Sequence, residues 1–151
     1  MDLNKLTWQF KKFEELTLNE LYDIMYLRQE VFVVEQDCPY IDADYKDQDS
    51  IMVNAYFKGK LVAHTRIVKP GISYKEASIG RVVSAPKLRG TGLGKLLMEK
   101  SIEALESIFK TSVCRISAQT YLINFYQQFG FEISSEEYLE DNLPHIQMLR
   151  K

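Results

Sequence analysis

The segment 78–109 constrains the fold more than any other, because three local patterns follow one another within it. Residues 78–84 (SIGRVVS) form a β-rich run and predict a strand. The glycine-containing stretch RGTGLG follows at 89–94, shortly after Pro86. Apolar residues at helical spacing then predict an amphipathic helix: Leu93, Leu97, Ala104 and Ile108. This order predicts an α/β unit whose glycine loop lies at the N-terminus of a helix.

The remaining chain carries further strand and helix patterns. Six runs have the alternation or the β-rich composition of strands: 6–13, 51–57, 61–68, 113–118, 131–134 and 145–149. Thr17 and Glu20 form a capping-box signature, so a helix is predicted to begin after Thr17, and another is predicted to end at Gly130. No repeat or linker interrupts this pattern. We therefore predict one domain over residues 1–151, of α/β class, with a mixed, mostly antiparallel twisted sheet flanked by helices.

Composition excludes several classes of protein. The chain has 151 residues, of which 46% are hydrophobic and 26% charged, and these values are typical of a globular domain. A formal net charge of −2 argues against nucleic acid as the main partner. Cys38 and Cys114 fit neither a zinc site nor a redox pair, so no metal is predicted. The N-terminus lacks a signal-peptide pattern and no run of 18 apolar residues occurs, so we expect a cytoplasmic protein that binds no membrane.

The glycine loop has a specific chemical capacity. Glycines let the backbone turn tightly with its N–H groups pointing inward, and the positive end of a helix dipole lies behind them, so the loop can hold a pyrophosphate. Arg89 and Lys95 add positive charge, while plain turn chemistry is the alternative interpretation. The pattern is neither a P-loop nor a GxGxxG dinucleotide loop, because Lys95, Leu96 and Leu97 follow Gly94.

The same loop resembles a known family signature. Arg89, Gly92 and Gly94 fit the R-x-x-G-x-G signature of the GNAT superfamily of acyl-CoA N-acyltransferases, and NFYQQFGF at 124–131 resembles the later motif of that family. RQEVFVVEQDCPYID at 28–42 and PHIQM at 144–148 are similar to its ElaA-like subgroup. The resemblance covers about residues 15–150.

The resemblance implies where the reaction takes place. Acetyl-CoA is the expected co-substrate, held where two central strands splay apart. Backbone groups of Val82, Val83 and Ser84 would contact the pantetheine and the thioester. The expected pyrophosphate cradle is Arg89, Gly90, Thr91, Gly92, Leu93, Gly94 and Lys95, and Asn124 would help to hold the cofactor. Tyr126 would act as the general acid that protonates the leaving thiolate.

The acceptor side is less determined. A protonated amine must lose a proton before it attacks, and His64, His145, Glu35 or a chain of waters could take it, so these three residues are candidate substrate contacts. Acidic stretches at 35–49 and 132–141 would favour an amine such as a polyamine, an amino sugar or a lysine side chain, or they form a solvated surface. The expected acceptor is therefore a small-molecule or peptide amine, and edge strands near the C-terminus leave a homodimer open.

The predicted function is an N-acetyltransferase in which the amine attacks acetyl-CoA directly in a ternary complex. One alternative comes from the pattern R-x-x-V-F-x-x-E-Q at 28–36, which resembles the related acyl-homoserine-lactone synthases. The other alternative is an acyl-CoA-binding module without catalysis.

Overall fold

The computed structural model describes residues 1–151, which form eight strands and three α-helices. The strands are β1 (Thr7–Lys12), β2 (Ser50–Phe57), β3 (Lys60–Val68), β4 (Ser78–Ser84), β5 (Cys114–Gln119), β6 (Phe131–Ile133), β7 (Tyr138–Glu140) and β8 (Leu143–Arg150). The helices are α1 (Leu18–Arg28), α2 (Leu93–Phe109) and α3 (Ile123–Gln127). A π-helical segment, Gln29–Glu35, continues α1. No helix is both long enough and apolar enough to span a membrane.

The strands form two antiparallel sheets that meet at a single point. The first has the order β1-β2-β3-β4, and the second has the order β5-β8-β6 with β7 also paired to β8. A parallel bridge joins Ala77 to Cys114, where the Arg115 N–H donates to the Ala77 carbonyl at 3.0 Å. Beyond this bridge β4 and β5 do not pair, so they diverge and leave an opening between the sheets. The predicted α/β class with a mostly antiparallel sheet is confirmed.

Two apolar clusters hold helices on opposite faces of the first sheet. The alternation of β2 sends Ile51 and Val53 into a core shared with α2, and it sends Met52 into a smaller cluster with Ile24 and Leu27 of α1. The helices α1 and α2 therefore lie on opposite faces of the first sheet.

A bulge in β4 lies beside this opening. The register pairs His64 with Val83 and Arg66 with Gly80, so two residues of β4, Arg81 and Val82, face one residue of β3. Arg81 has a φ of 53°, in the left-handed region that non-glycine residues rarely adopt. An extra residue of this kind interrupts the ladder and bends the strand, so β4 turns away from its regular path at the cleft.

The capping box is confirmed, whereas α3 ends at Gln127 rather than at Gly130 and one strand was not predicted. Glu20 N–H donates to the Thr17 hydroxyl at 3.1 Å, and Thr17 N–H donates to the Glu20 carboxylate at 2.9 Å, which is the predicted capping box. Strand β7 was not predicted, because three residues carry too little alternation to be recognised. Its pairing follows from a two-residue turn at Asp141 and Asn142, whose φ values of 49° and 62° suit a tight hairpin.

Candidate active site

A cleft of about 830 Å³ occupies the opening between β4 and β5. One end, which we call the loop end, is lined by the glycine loop and α3. The other end, the hairpin end, is lined by β5, the β7–β8 hairpin and residues 40–42. Val82, Val83 and Ser84 of β4 line the cleft as well. A volume in this range suits a small-molecule ligand.

The loop end combines backbone donors with positive charge. Arg89, Gly90, Gly92, Gly94 and Lys95 all line it. The loop backbone requires glycine at two positions, since φ is 78° at residue 90 and 88° at residue 92. No side chain caps the first turn of α2, so its first N–H groups lack partners within the helix and remain available to an anion.

Three predicted cofactor residues have side chains outside the cleft. The Thr91 hydroxyl donates to the Leu88 carbonyl at 2.6 Å and so closes the turn. The Leu93 side chain is 1% exposed within the core, and Asn124 is exposed on α3 without lining the cleft. A contact of Leu93 with the cofactor is therefore limited to its backbone, and a role for Asn124 stays a prediction.

Glu35 lies at the loop end of the cleft. The π-helical segment carries it there, and its carboxylate forms an ion pair with the Arg89 guanidinium. This ion pair raises the pKa of Arg89. A contact of Glu35 with the acceptor stays a prediction, and in this structure its partner is an arginine of the glycine loop.

Tyr126 lines the cleft from α3 and is 8% exposed. Its ring packs edge to face on Phe125 and Phe131, with centroids 5.2 Å and 6.0 Å away. Burial raises the pKa of the phenol well above its ordinary value of about 10. The hydroxyl therefore stays protonated at neutral pH and can donate one proton into the cleft.

His64 does not reach the cleft. It lies on β3 with 0% exposure, and its Nδ1 is 2.7 Å from the side-chain oxygen of Asn54. The amide nitrogen of Asn54 donates to Gln9, so the Asn54 oxygen accepts a hydrogen bond from the Nδ1–H of His64. Burial, with Arg28, Arg66 and Arg81 nearby, lowers the pKa of His64 well below its ordinary value. The prediction that His64 touches a substrate is wrong, because the neutral ring is enclosed in the sheet.

His145 lines the hairpin end and is 6% exposed. Its Nδ1 is 2.7 Å from the Leu143 carbonyl, and its Nε2 is 3.5 Å from a carboxylate oxygen of Glu140. Among the three candidate substrate contacts, it alone lies at the hairpin end.

Three aspartates of the acidic stretch 35–49 are paired with arginines, in a group that we call the ion cluster. Asp47 accepts from Arg28 at 2.7 Å and from Arg66 at 3.2 Å. Asp44 accepts two hydrogen bonds from Arg66, at 2.6 Å and 2.7 Å, and these bonds lower the pKa of Asp44. The remaining pairs join Asp42 to Arg28 and to Arg81, and Asp44 to Arg81.

The ion cluster corrects two sequence interpretations. Its three carboxylates are neither a solvated surface nor free to attract a cationic substrate, because three guanidinium groups neutralise them. Arg28, the first residue of the R-x-x-V-F-x-x-E-Q pattern, lies buried in α1 and belongs to the ion cluster. The available sequence signal was the position of Arg66 and Arg81 within strands otherwise rich in apolar residues.

Comparisons with known proteins agree with this geometry. Residues 22–151 match the family model described as acetyltransferase (GNAT) domain. The chain is 39% identical to protein ElaA of Escherichia coli K12 over 148 residues, which are 97% of each chain. The crystal structure of Escherichia coli ElaA covers 97% of this chain and 99% of its own, with a TM-score of 0.90.

Two further crystal structures share the fold. An acyl-CoA N-acyltransferase from Pseudomonas aeruginosa is 42% identical, with a TM-score of 0.92 over 97% of this chain and 99% of that one. A GNAT family acetyltransferase from Elizabethkingia anophelis, solved with acetyl-CoA bound, is 14% identical, with a TM-score of 0.65 over 98% of this chain and 99% of that one. At that identity the second likeness shows the fold alone.

Proposed function

This chain belongs to the GNAT acetyltransferase family, within its ElaA-like group, and we propose that it transfers the acetyl group of acetyl-CoA to a primary amine. One observation carries the proposal. The uncapped N-terminus of α2 and the protonated phenol of Tyr126 open onto the same cleft between the diverging strands β4 and β5.

The loop end supports the choice of donor. A pyrophosphate needs several N–H donors and nearby positive charge, and the first turn of α2 with Arg89 and Lys95 supplies both. The ion pair with Glu35 must open or share Arg89 when the pyrophosphate binds. The distant fold relative that was solved with acetyl-CoA bound supports the same donor class.

The cleft also supports the transfer step. Attack of an amine on a thioester creates an oxyanion and then expels a thiolate, so the reaction needs an N–H near the carbonyl oxygen and an acid near the sulfur. Backbone groups of Val82 and Val83, beside the bulge in β4, are our candidates for the first role. Tyr126 is our candidate for the second role.

A charge substitution in the glycine loop tests donor binding. Gly92→Glu places a carboxylate where the pyrophosphate is proposed to bind, so the affinity for acetyl-CoA should fall by at least about 100-fold. Gly92→Ala is the matched control, because both variants carry the same backbone strain at a φ of 88° and an added Cβ meets no atom closer than 3.8 Å.

The measurement is calorimetry with acetyl-CoA, followed by CoA release from a panel of primary amines. Gly92→Ala should retain most of the affinity. Equal affinity in Gly92→Glu would remove the loop from the donor site, and the absence of CoA release with every amine would contradict the proposed transfer.

A further inference from the structure

The geometry points to an acceptor site at the hairpin end, where the ammonium group of a primary amine binds between Glu140 and His145 and gives its proton to Nε2 of His145. This inference rests on the proposed function and deepens it, because it assigns the acceptor class and the general base. It follows from the positions of two hydrogen-bond acceptors, Nε2 of neutral His145 and a carboxylate oxygen of Glu140, which no donor of the protein bridges.

The two ring nitrogens of His145 have different hydrogen-bonding roles. Its Nδ1 lies 2.7 Å from the Leu143 carbonyl, and a carbonyl oxygen can only accept, so Nδ1 carries a hydrogen. In the neutral ring Nε2 is then an acceptor. The group facing Nε2 is a carboxylate oxygen of Glu140 at 3.5 Å, which is also an acceptor. In that neutral form two acceptors face each other, and no donor of the protein bridges them.

Two hydroxyl groups, those of Ser117 and Tyr138, fix the orientation of Glu140. The Ser117 hydroxyl has one hydrogen and donates it to the other Glu140 oxygen at 3.1 Å, so the Tyr138 hydroxyl donates to Ser117. Tyr138 also stacks on the His145 ring, with centroids 6.3 Å apart. Ser117 and Tyr138 are thus positioning residues, and they leave one Glu140 oxygen directed at Nε2.

The charged groups at the hairpin end determine which ligand charge it favours. Glu140 and Asp141 line the hairpin end, and the arginines near it are paired with carboxylates, Arg81 with Asp42 and Asp44 of the ion cluster and Arg115 with Glu76. The phenol ring of Tyr138 stacks on His145, and Tyr74 lies near Tyr138 and Ser117, where burial raises the pKa of its phenol to about 12. The Cys38 thiol donates to the Asp141 carbonyl. The hairpin end therefore favours a cation over an anion.

Proton transfer to His145 precedes the attack of the amine on acetyl-CoA. The bound ammonium gives one proton to Nε2 of His145, and the nitrogen lone pair attacks the thioester carbon to form the C–N bond. The nitrogen then loses its second proton to solvent as the C–S bond breaks, and the thiolate takes the proton of Tyr126, which solvent replaces. Protonated His145 then releases its proton to solvent, so the sum is an ammonium and acetyl-CoA converted to an amide, CoA thiol and one released proton.

Two substitutions test the site by kinetics. His145→Asn keeps an N–H donor near the Leu143 carbonyl but removes Nε2, so kcat on the best amine should fall by about 100-fold and the dependence of kcat/KM on pH should lose the limb due to this base. Glu140→Gln still accepts from Ser117 but places an N–H against Nε2, so KM for the amine should rise by at least about tenfold. Affinity for acetyl-CoA should stay within about twofold of the parent in both variants.

The matched control is Glu137→Gln, in the same acidic stretch but exposed and outside the cleft lining. Its kinetics should equal those of the parent. If His145→Asn and Glu140→Gln keep kcat/KM within about twofold while CoA release continues, the acceptor site is elsewhere and the proposed function stands.

A binding measurement on the unmodified protein distinguishes failure of the acceptor site from failure of the proposed transfer. The chain has two histidines, and His64 is fully buried, so spectra of protein labelled with ¹⁵N-histidine contain one internal reference. With CoA present, butylamine should shift the ring signals of His145 and leave those of His64 unchanged, while butanol should shift neither.

The binding measurement tests the acceptor site, and the measurement of CoA release tests the transfer. If amines that support CoA release leave His145 unmoved, the inference is wrong. If butylamine shifts His145 but no amine supports CoA release, the cation site stands and the transfer chemistry, including the role of His145 as base, fails.

Discussion

The acidic stretches 35–49 and 132–141 look alike as sequence and differ completely in the folded protein. In the first stretch, Asp42, Asp44 and Asp47 belong to the ion cluster with arginines of α1, β3 and β4. In the second stretch, Glu140 accepts from Ser117 and directs its other oxygen at His145, with no arginine or lysine paired to it. A run of like charges therefore says nothing about function until its partners are known.

The two stretches also differ in what they can contribute. A buried, paired carboxylate stabilises the fold through its partners, and its charge is hidden from a substrate. A carboxylate on a cleft wall without a cationic partner contributes little stability but can attract a cation. The ion cluster is accordingly expected to control stability, and the cleft walls are expected to control activity.

The largest expected effect is on stability, from Asp47→Asn. Asp47 is 4% exposed and accepts from two guanidinium groups, so the substitution leaves buried positive charge uncompensated and should lower the free energy of unfolding by about 3 kcal/mol. Asp49→Asn is the control, since its pair with Lys69 is well exposed and should change stability by less than about 0.5 kcal/mol. Urea unfolding checks both, and similar losses in the two variants would contradict the distinction.

The next effect is on catalysis with little change in stability, from Tyr126→Phe. The substitution keeps the ring that packs on Phe125 and Phe131 and removes the hydroxyl. General acid catalysis is typically worth 10²–10⁴-fold, and a thiolate leaves fairly well without help, so kcat should fall by about 100-fold while acetyl-CoA affinity stays within a few-fold. Steady-state kinetics with thermal melting measure this. A kcat within about twofold of the parent would make Tyr126 a packing residue.

The smallest effect is on the pH dependence of stability. Arg66 lowers the pKa of Asp44, and the Thr17 N–H with Lys11 lowers the pKa of Glu20 to about 2. Carboxyls with depressed pKa values stabilise the fold above their unfolded pKa of about 4 and lose this contribution as pH falls through the folded value. Stability should therefore fall below about pH 4, and it should fall less steeply in Asp44→Asn. Urea midpoints between pH 6 and pH 3 measure the slope, and equal slopes would exclude Asp44 as a source.

Local signals in the sequence predicted the elements that depend on neighbours along the chain. The capping box at Thr17, the strands β2 and β3 and the glycine loop before α2 all appear where expected, because each depends on residues close together along the chain. Strand β7 and the bulge at Arg81 were not predicted, because they depend on pairing with β8 and β3 respectively.

The sequence by itself determined the fold class, the order of its elements and the residues of the glycine loop, since hydrophobic period, turn chemistry and glycine spacing are local properties. Only the tertiary structure decided which acidic and histidine side chains face the cleft. Asp42 and Arg81 are separated by 39 positions and Ser117 and Glu140 by 23, so no local pattern relates them. Whether a carboxylate meets a guanidinium or an open cleft depends on how distant strands pair, and that is a property of the packed chain.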